Sequence, residues 1–233
     1  MRQVYLSITT RGFDVTSSDW QNVEVLTQTF HDQIKAATDT SHRSAERTDF
    51  IVDLMGGRLN QSAYLRYLTA LAPIYERMEV LLRERATRPL IAEFDHRGLD
   101  RFSLLEADIA ALRESGTVTK GSTIPLATKS YVLRLSNDIE DERLLAHHYI
   151  RYLGDLSGGQ AIARLVARHY QIPQEALAFY DFHSLGDTNT YKVAYREKLN
   201  RAALTNAQKE AFIDEAVALY SLSREIFQEL GRA

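Results

Sequence analysis

The sequence predicts an all-α protein with one core, and three observations carry that reading. Its 233 residues include only four prolines and eleven glycines, so long stretches pass without a backbone breaker. Within those stretches apolar residues recur at steps of three and four, the period of a helix with one buried face. Strand-like alternation is confined to residues 4–9, too little for a sheet.

Taken in order, residues 1–22 are polar, with Thr9, Thr10, Thr16, Ser17 and Ser18 and a break at Gly12. They read as a loose N-terminal extension ahead of a single domain over 23–233, a size suited to one core. A first helix is expected over 23–47, with Leu26, Phe30, Ile34, Ala37 and Ser41 on one face. A second spans 60–86, where Tyr64, Leu68, Leu71, Tyr75, Met78 and Leu82 form the apolar stripe, with a kink expected at Pro73. Shorter helices follow over 100–114 and 123–136, the latter opened by Thr123 with Pro125 in its first turn. Segments 141–152 and 161–170 show helical spacing on either side of a glycine-rich run. The chain closes with 187–203 and 205–230, the last begun by a capping-box pattern from Thr205 to Gln208.

The net charge of −3 offers no basic footprint for a nucleic-acid partner. The absence of cysteine removes disulfides, thiolate metal ligation and a cysteine nucleophile together. No run of 18 apolar residues marks a membrane span, and the first residues lack the apolar core of a secretory signal. A cytoplasmic protein that does not engage a membrane is the expectation. No Gly-x-Gly-x-x-Gly run occurs, so no flavin or NAD is expected to be bound by this chain.

The most informative stretch is Arg151-Tyr152-Leu153-Gly154-Asp155-Leu156-Ser157-Gly158-Gly159-Gln160. An interior helical glycine costs roughly 1 kcal/mol against alanine, so three cost on the order of 3 kcal/mol. Such a run has two readings. Gly158-Gly159 ends one helix and Gln160 begins another, or the backbone is kept bare because something large lies against it. Arg151 and Asp155 are four apart, the spacing of a helical ion pair.

Seven histidines are present, and none lies in a zinc-type His-x-x-x-His pattern. His147 and His148 point about 100° apart on a helix and cannot chelate one ion together. His42 stands out by its neighbours. Glu46 is one turn on, placed to hold one imidazole nitrogen while the other binds a metal, and Lys35 is two turns back. From spacing alone, Lys35, His42 and Glu46 read more readily as a solvated charged stripe.

The run from Tyr149 to Gln160 resembles the signature of the heme oxygenase family, whose distal helix carries Tyr-Leu-Gly-Asp-Leu-Ser-Gly-Gly. The resemblance extends with gaps from about Leu26 to Gly231 and is closest to soluble bacterial members. It implies a heme-oxygenase-like multi-helix bundle with heme between a proximal helix and a kinked distal one. On that resemblance, His42 in Thr38-x-x-x-His42-x-x-Ala45-Glu46 is the proximal iron ligand. Lys35, Lys192 and Arg196 are the basic residues for the propionates, and Tyr149 is the aromatic residue before the signature. Tyr75 is the tyrosine of the distal network with Asp155, and Arg151, by its place one turn before Asp155, is a candidate to join it. Gly154 and Gly158 are the bare wall over the porphyrin. Ile150 stands where some relatives have threonine.

The resemblance implies oxidative opening of heme to biliverdin with release of CO and ferrous iron. Heme is then both substrate and cofactor, and iron the metal. The reaction needs O2 and an external electron donor, a ferredoxin or a flavin or NAD(P)H reductase. The rival reading is a heme carrier without turnover.

Overall fold

A computed structural model of the chain describes residues 28–94, 98–114 and 123–232. Expectations for the extension 1–22, the alternation at 4–9, Leu26 and His96 lie outside the described residues. Ten α-helices are described. They are α1 (Phe30–Glu46), α2 (Asp49–Met55), α3 (Gln61–Glu84), α4 (Pro89–Ala92), α5 (Phe102–Glu114), α6 (Leu126–Arg134), α7 (Asp141–His148), α8 (Gln160–Tyr170), α9 (Thr188–Arg201) and α10 (Asn206–Leu230). No strand occurs among the described residues, as the periodicity predicts.

Helix starts follow capping chemistry. Thr29 accepts from the Asp32 amide, so α1 begins at Phe30 and not at residue 23 as the apolar spacing suggested. Asn60 caps α3 through the Ala63 amide and Asp187 caps α9 through the Thr190 amide. Thr205 and Gln208 form the reciprocal capping box at α10 that their spacing predicts. At α6 the expectation is corrected. Thr123 lies outside the helix and Pro125 is its cap residue, because the extended backbone at Pro125 (φ −52°, ψ 146°) cannot yet be helical. Pro73 sits within a continuous α3.

Of the two readings of the glycine run, the continuous helix is the one found. From α7 the chain passes through two π-helical segments, Tyr149–Leu153 and Asp155–Gly159, directly into α8. Gly154 (φ −61°, ψ −50°) and Gly159 (φ −57°, ψ −37°) both keep right-handed helical dihedrals. The helix-terminus reading of Gly158-Gly159 is therefore wrong. The helix does not stop there but unwinds, as helices do where a ligand or reacting group is handled.

The core lies among α3, α5, α7 and α10, with α1 against α10 on one side. Its largest sealed side chains include Tyr64, Tyr75, Tyr131, Tyr152, Phe94 and Phe179. Tyr149 pins the first π-helical segment to both neighbours. Its hydroxyl meets His31 Nδ1 at 3.2 Å and its ring packs edge-on against Phe212 at 5.8 Å.

The α6, α7 and α10 helices are joined by a buried charge cluster. Glu215 is 2% exposed and accepts from Arg134 Nε and Nη2 at 2.7 and 2.6 Å, from Arg143 at 3.1 Å and from His147 Nε2 at 3.1 Å. Burial pushes its carboxyl up, but the hydrogen bonds from Arg134 and His147 outweigh that and hold it well below the usual glutamate range. A depressed carboxylate stabilises the fold above its unfolded value, and that contribution is lost as pH falls. Replacing Glu215 with alanine strands Arg134 and His147 and should cost about 3–5 kcal/mol. Urea unfolding at neutral pH should show the loss, and the difference from wild type should shrink on acidification.

Candidate active site

The site is a cleft of about 450 Å³ between α1 and α2 on one side and the glycine-bearing segment on the other, with α10 as its back wall. That volume falls in the range of small-molecule pockets. His42, Met55, Gly154, Asp155, Gly158 and Phe227 are among its lining residues.

On the α1 side, Phe30, Ile34, Thr38 and Ala45 are buried. This leaves His42 and Glu46 on the flank facing the cleft. The His42 side chain is 45% exposed and its Nε2 stands 3.3 Å from Glu46 Oε1, the one-turn pairing the spacing predicts. The Tyr220 ring of α10 stands edge-on to the imidazole at 5.0 Å and fixes its plane. Among the described residues no cluster of three or more His, Asp or Glu side chains could hold a metal. His42 is the lone histidine ligand candidate that lines this cleft.

On the opposite side the glycines divide by role. A Cβ at Gly154 or Gly158 would meet nothing within 4 Å, so both turn bare backbone toward the cleft. A Cβ at Gly159 would lie 2.8 Å from Tyr180 Cδ1, so this glycine admits the tyrosine ring. Asp155 Oδ2 accepts a short hydrogen bond from the Tyr75 hydroxyl, and Tyr75 is fully buried on α3. Burial pushes the Asp155 carboxyl up to about 7, against the pull of the Tyr75 hydrogen bond and the charges of Arg151 and Arg101.

Arg151 does not pair with Asp155, and the ion pair that their spacing suggests is corrected. Its Nη2 donates to Ser223 Oγ at 2.9 Å and its guanidinium lies over the Tyr131 ring, 5.3 Å from the centroid. The side chain is turned toward α10 and α6, so its charge reaches Asp155 only at a distance, and burial wins. Arg101 was not expected at all. It is 3% exposed, donates to Gly98 O at 2.7 Å and Asp181 O at 2.6 Å, and packs over Phe182 at 4.2 Å. It thereby clamps the loop that brings Tyr180 to Gly159.

Besides Tyr75, which stands behind Asp155, four expected residues lie outside the cleft lining. Lys35 is exposed on α1. Lys192 Nζ donates to Leu156 O at 3.4 Å. Arg196 has a buried Nε without a hydrogen-bond partner. Lys35 and Arg196 both act on the His31 imidazole, so they converge where α1 meets α9. Tyr149 bonds that same His31. The α10 wall, Tyr220, Ser223 and Phe227, was missed, although its spacing of three and four is a readable helical face. Met55 was missed because α2 is only seven residues long.

The Heme oxygenase family model matches residues 28–229. Heme oxygenase 2 of Synechocystis sp. is 32% identical over 204 residues, covering 85% of this chain and 81% of its own. Heme oxygenase 1 of Nostoc sp. is 28% identical over 201 residues, 85% of this chain and 84% of its own. Among solved structures, heme oxygenase from Leptospira interrogans superposes with a TM-score of 0.78 at 30% identity, covering 87% of this chain and all of that one. Heme oxygenase-1 from Synechocystis sp. in complex with heme gives 0.78 at 27% identity, covering 87% and 92%. With nearly all the described residues inside the family match, the chain belongs to the heme oxygenase family.

Proposed function

We propose that the chain binds heme in this cleft and opens it to biliverdin, with release of CO and ferrous iron. The observation that carries this is the opposition of an acceptor-backed histidine, His42 with Glu46, to a helix stripped of side chains at Gly154 and Gly158 and bearing a half-buried acid at Asp155. Those residues fit a flat macrocycle. The bare backbone permits van der Waals approach along its face, and Met55, Ile162 and Phe227 give apolar contact.

Heme, when bound, supplies the iron at which oxygen is activated and is itself the substrate. His42 would hold it through an imidazole nitrogen, with Glu46 fixing the ring and raising its basicity. Lys35, Lys192 and Arg196 would form the basic rim for the two carboxylates. The convergence of Lys35 and Arg196 on His31 supports one such rim at the junction of α1 and α9. Asp155, raised to about 7, can hold and release a proton near neutral pH, and Tyr75 orients it by engaging Oδ2. The other carboxyl oxygen remains to relay protons into the cleft. Gly154 and Gly158 would let the macrocycle lie close to the helix backbone.

The electrons would come from an external donor, a ferredoxin or a flavin or NAD(P)H reductase, and the oxidant is O2. Among the described residues no helix is long and apolar enough to cross a membrane. Addition of hemin, ascorbate and air tests the reading. The Soret band should decay as biliverdin absorption appears, whereas a persistent Soret band would identify a carrier.

His42→Ala should lose histidine ligation. The iron–histidine stretch in the resonance Raman spectrum of the ferrous complex should vanish, and added imidazole should restore it. An unchanged stretch would assign the ligand elsewhere.

A further inference from the structure

Behind Asp155 stand three tyrosines that the proposed chemistry does not yet use. Tyr64 and Tyr67 project from α3 three residues apart, so they share a face. Tyr180 comes from the loop between α8 and α9. Tyr64 and Tyr180 are 0% and 2% exposed, and neither hydroxyl has a hydrogen-bond partner in the protein. Buried hydroxyls are almost always bonded, so two such groups in one place call for an explanation. The Tyr180 hydroxyl lies within the reach of a long, weak hydrogen bond to those of Tyr64 and Tyr67, but its approach to Tyr64 falls short of good hydrogen-bond geometry and leaves both hydroxyls without a well-formed partner. Polar groups near one another but beyond direct bonding are the usual setting for a bridging water.

The arrangement is built, not incidental. Gly159 lets the Tyr180 ring approach where a Cβ would clash at 2.8 Å. Asp108, fully buried on α5, accepts from the amides of Ala178 and Phe179 at 2.9 Å each. Arg101 holds the Asp181 carbonyl at 2.6 Å, and the Gln160 side chain holds that of Tyr180. The backbone on both sides of Tyr180 is therefore fixed by buried or part-buried side chains. Tyr67 lines the cleft beside Asp155. Tyr180 also walls an open groove of about 540 Å³ on the far side of α8, with Asp181 and His183. The cluster thus lies between the cleft and a second face of the molecule. The charged groups facing it are Asp155 and Arg151 on the distal segment and Asp108 on α5, while Arg101 acts on Asp155.

We propose that Tyr64, Tyr67 and Tyr180 hold internal water behind the distal segment, and that this site resupplies Asp155 with protons. The inference rests on the function proposed above. When Asp155 gives a proton to the cleft, it takes one from the bound water. Each hydroxyl then passes one proton on and receives one, so no phenolate forms, and the net proton is drawn from solvent through the Tyr180 side. The three tyrosines are positioning residues in this scheme, since none needs to touch heme.

The test uses the heme complexes of Tyr64→Phe and Tyr180→Phe, with Tyr170→Phe as the reference. Tyr170 is a buried tyrosine bonded to Leu54 O at the α2 end, outside the cluster. Loss of an unpartnered hydroxyl leaves an apolar group in its stead, so both variants should fold and bind hemin as wild type does. Single-turnover biliverdin formation should slow by about tenfold or more, with a larger solvent deuterium isotope effect. The water-to-hydroxide transition of the ferric heme, read optically, should move in pH. Tyr170→Phe should change none of these. A crystal structure should show ordered water within about 3.2 Å of both the Tyr64 and Tyr180 hydroxyls. Wild-type rates, isotope effect and transition in both variants, while Asp155→Asn is inactive, would overturn the proton reserve and leave the proposed function standing. If Asp155→Asn also turns over normally, it is the functional reading that falls.

Discussion

Asp155→Asn should bind hemin with wild-type affinity and lose biliverdin formation by 10²- to 10⁴-fold, the usual worth of a positioned proton-transfer group. Asparagine keeps the shape, and its carbonyl can still accept from Tyr75, so the distal segment has no reason to move. What disappears is a carboxyl that burial has raised to about 7. At that value the acid and its conjugate base are both populated near neutral pH, the condition under which one group can take and give protons repeatedly. The sign of the pH dependence follows. Between the ordinary value of 3.8 and about 7 the folded protein holds a proton that the unfolded chain releases, so this group's effect on stability weakens as pH rises through that window. Asp155→Asn should flatten stability there relative to wild type. Chemical denaturation at pH 5 and pH 8 reads that difference, and single-turnover absorbance reads the chemistry. Unaltered turnover would remove Asp155 from the mechanism.

Most of what makes this site was readable where the signal is local. Thr205 and Gln208 announce the start of α10 because a capping box needs only its own four residues. Glu46 beside His42 follows from one helical turn. Asp155 and the glycines stood in one contiguous run. Signals that depend on winding or on distant partners were not readable. The apolar spacing on both sides of the glycines already suits one continuous helix, but the same residues 149–159 serve an α- or a π-helix, so the π-winding and the turning of Arg151 toward Ser223 had no sequence mark. Tyr180 reaches Gly159 from a separate loop, held there by Arg101 and Asp108, and no spacing rule connects those four positions. Lys35, Lys192 and Arg196 were named by resemblance. The structure gathers two of them about His31, a meeting of α1 and α9 that periodicity does not encode.

Gly158→Leu should separate folding from ligand binding. Most glycine-to-leucine changes at a tight site harm the fold, but a Cβ at Gly158 has open space within 4 Å. Helical dihedrals on both sides of this segment suit leucine, and leucine outranks glycine in helix propensity by nearly 1 kcal/mol. The ligand-free variant should therefore melt at or above the wild-type temperature. The same side chain projects into the cleft that heme is to fill. Overpacking of that kind costs about 1–3 kcal/mol, which weakens hemin binding by roughly 5- to 150-fold. Gly159→Ala should behave in the opposite sense. Its single methyl would press within 2.8 Å of the Tyr180 ring, so it should lower the melting temperature, while its lesion lies behind the cleft face and not across it. The pair of variants tests whether the glycines are kept for the backbone or for the ligand. If Gly158→Leu destabilises the ligand-free protein and leaves hemin affinity intact, the bare face at Gly158 serves the helix, and the flat-ligand reading of this cleft is wrong.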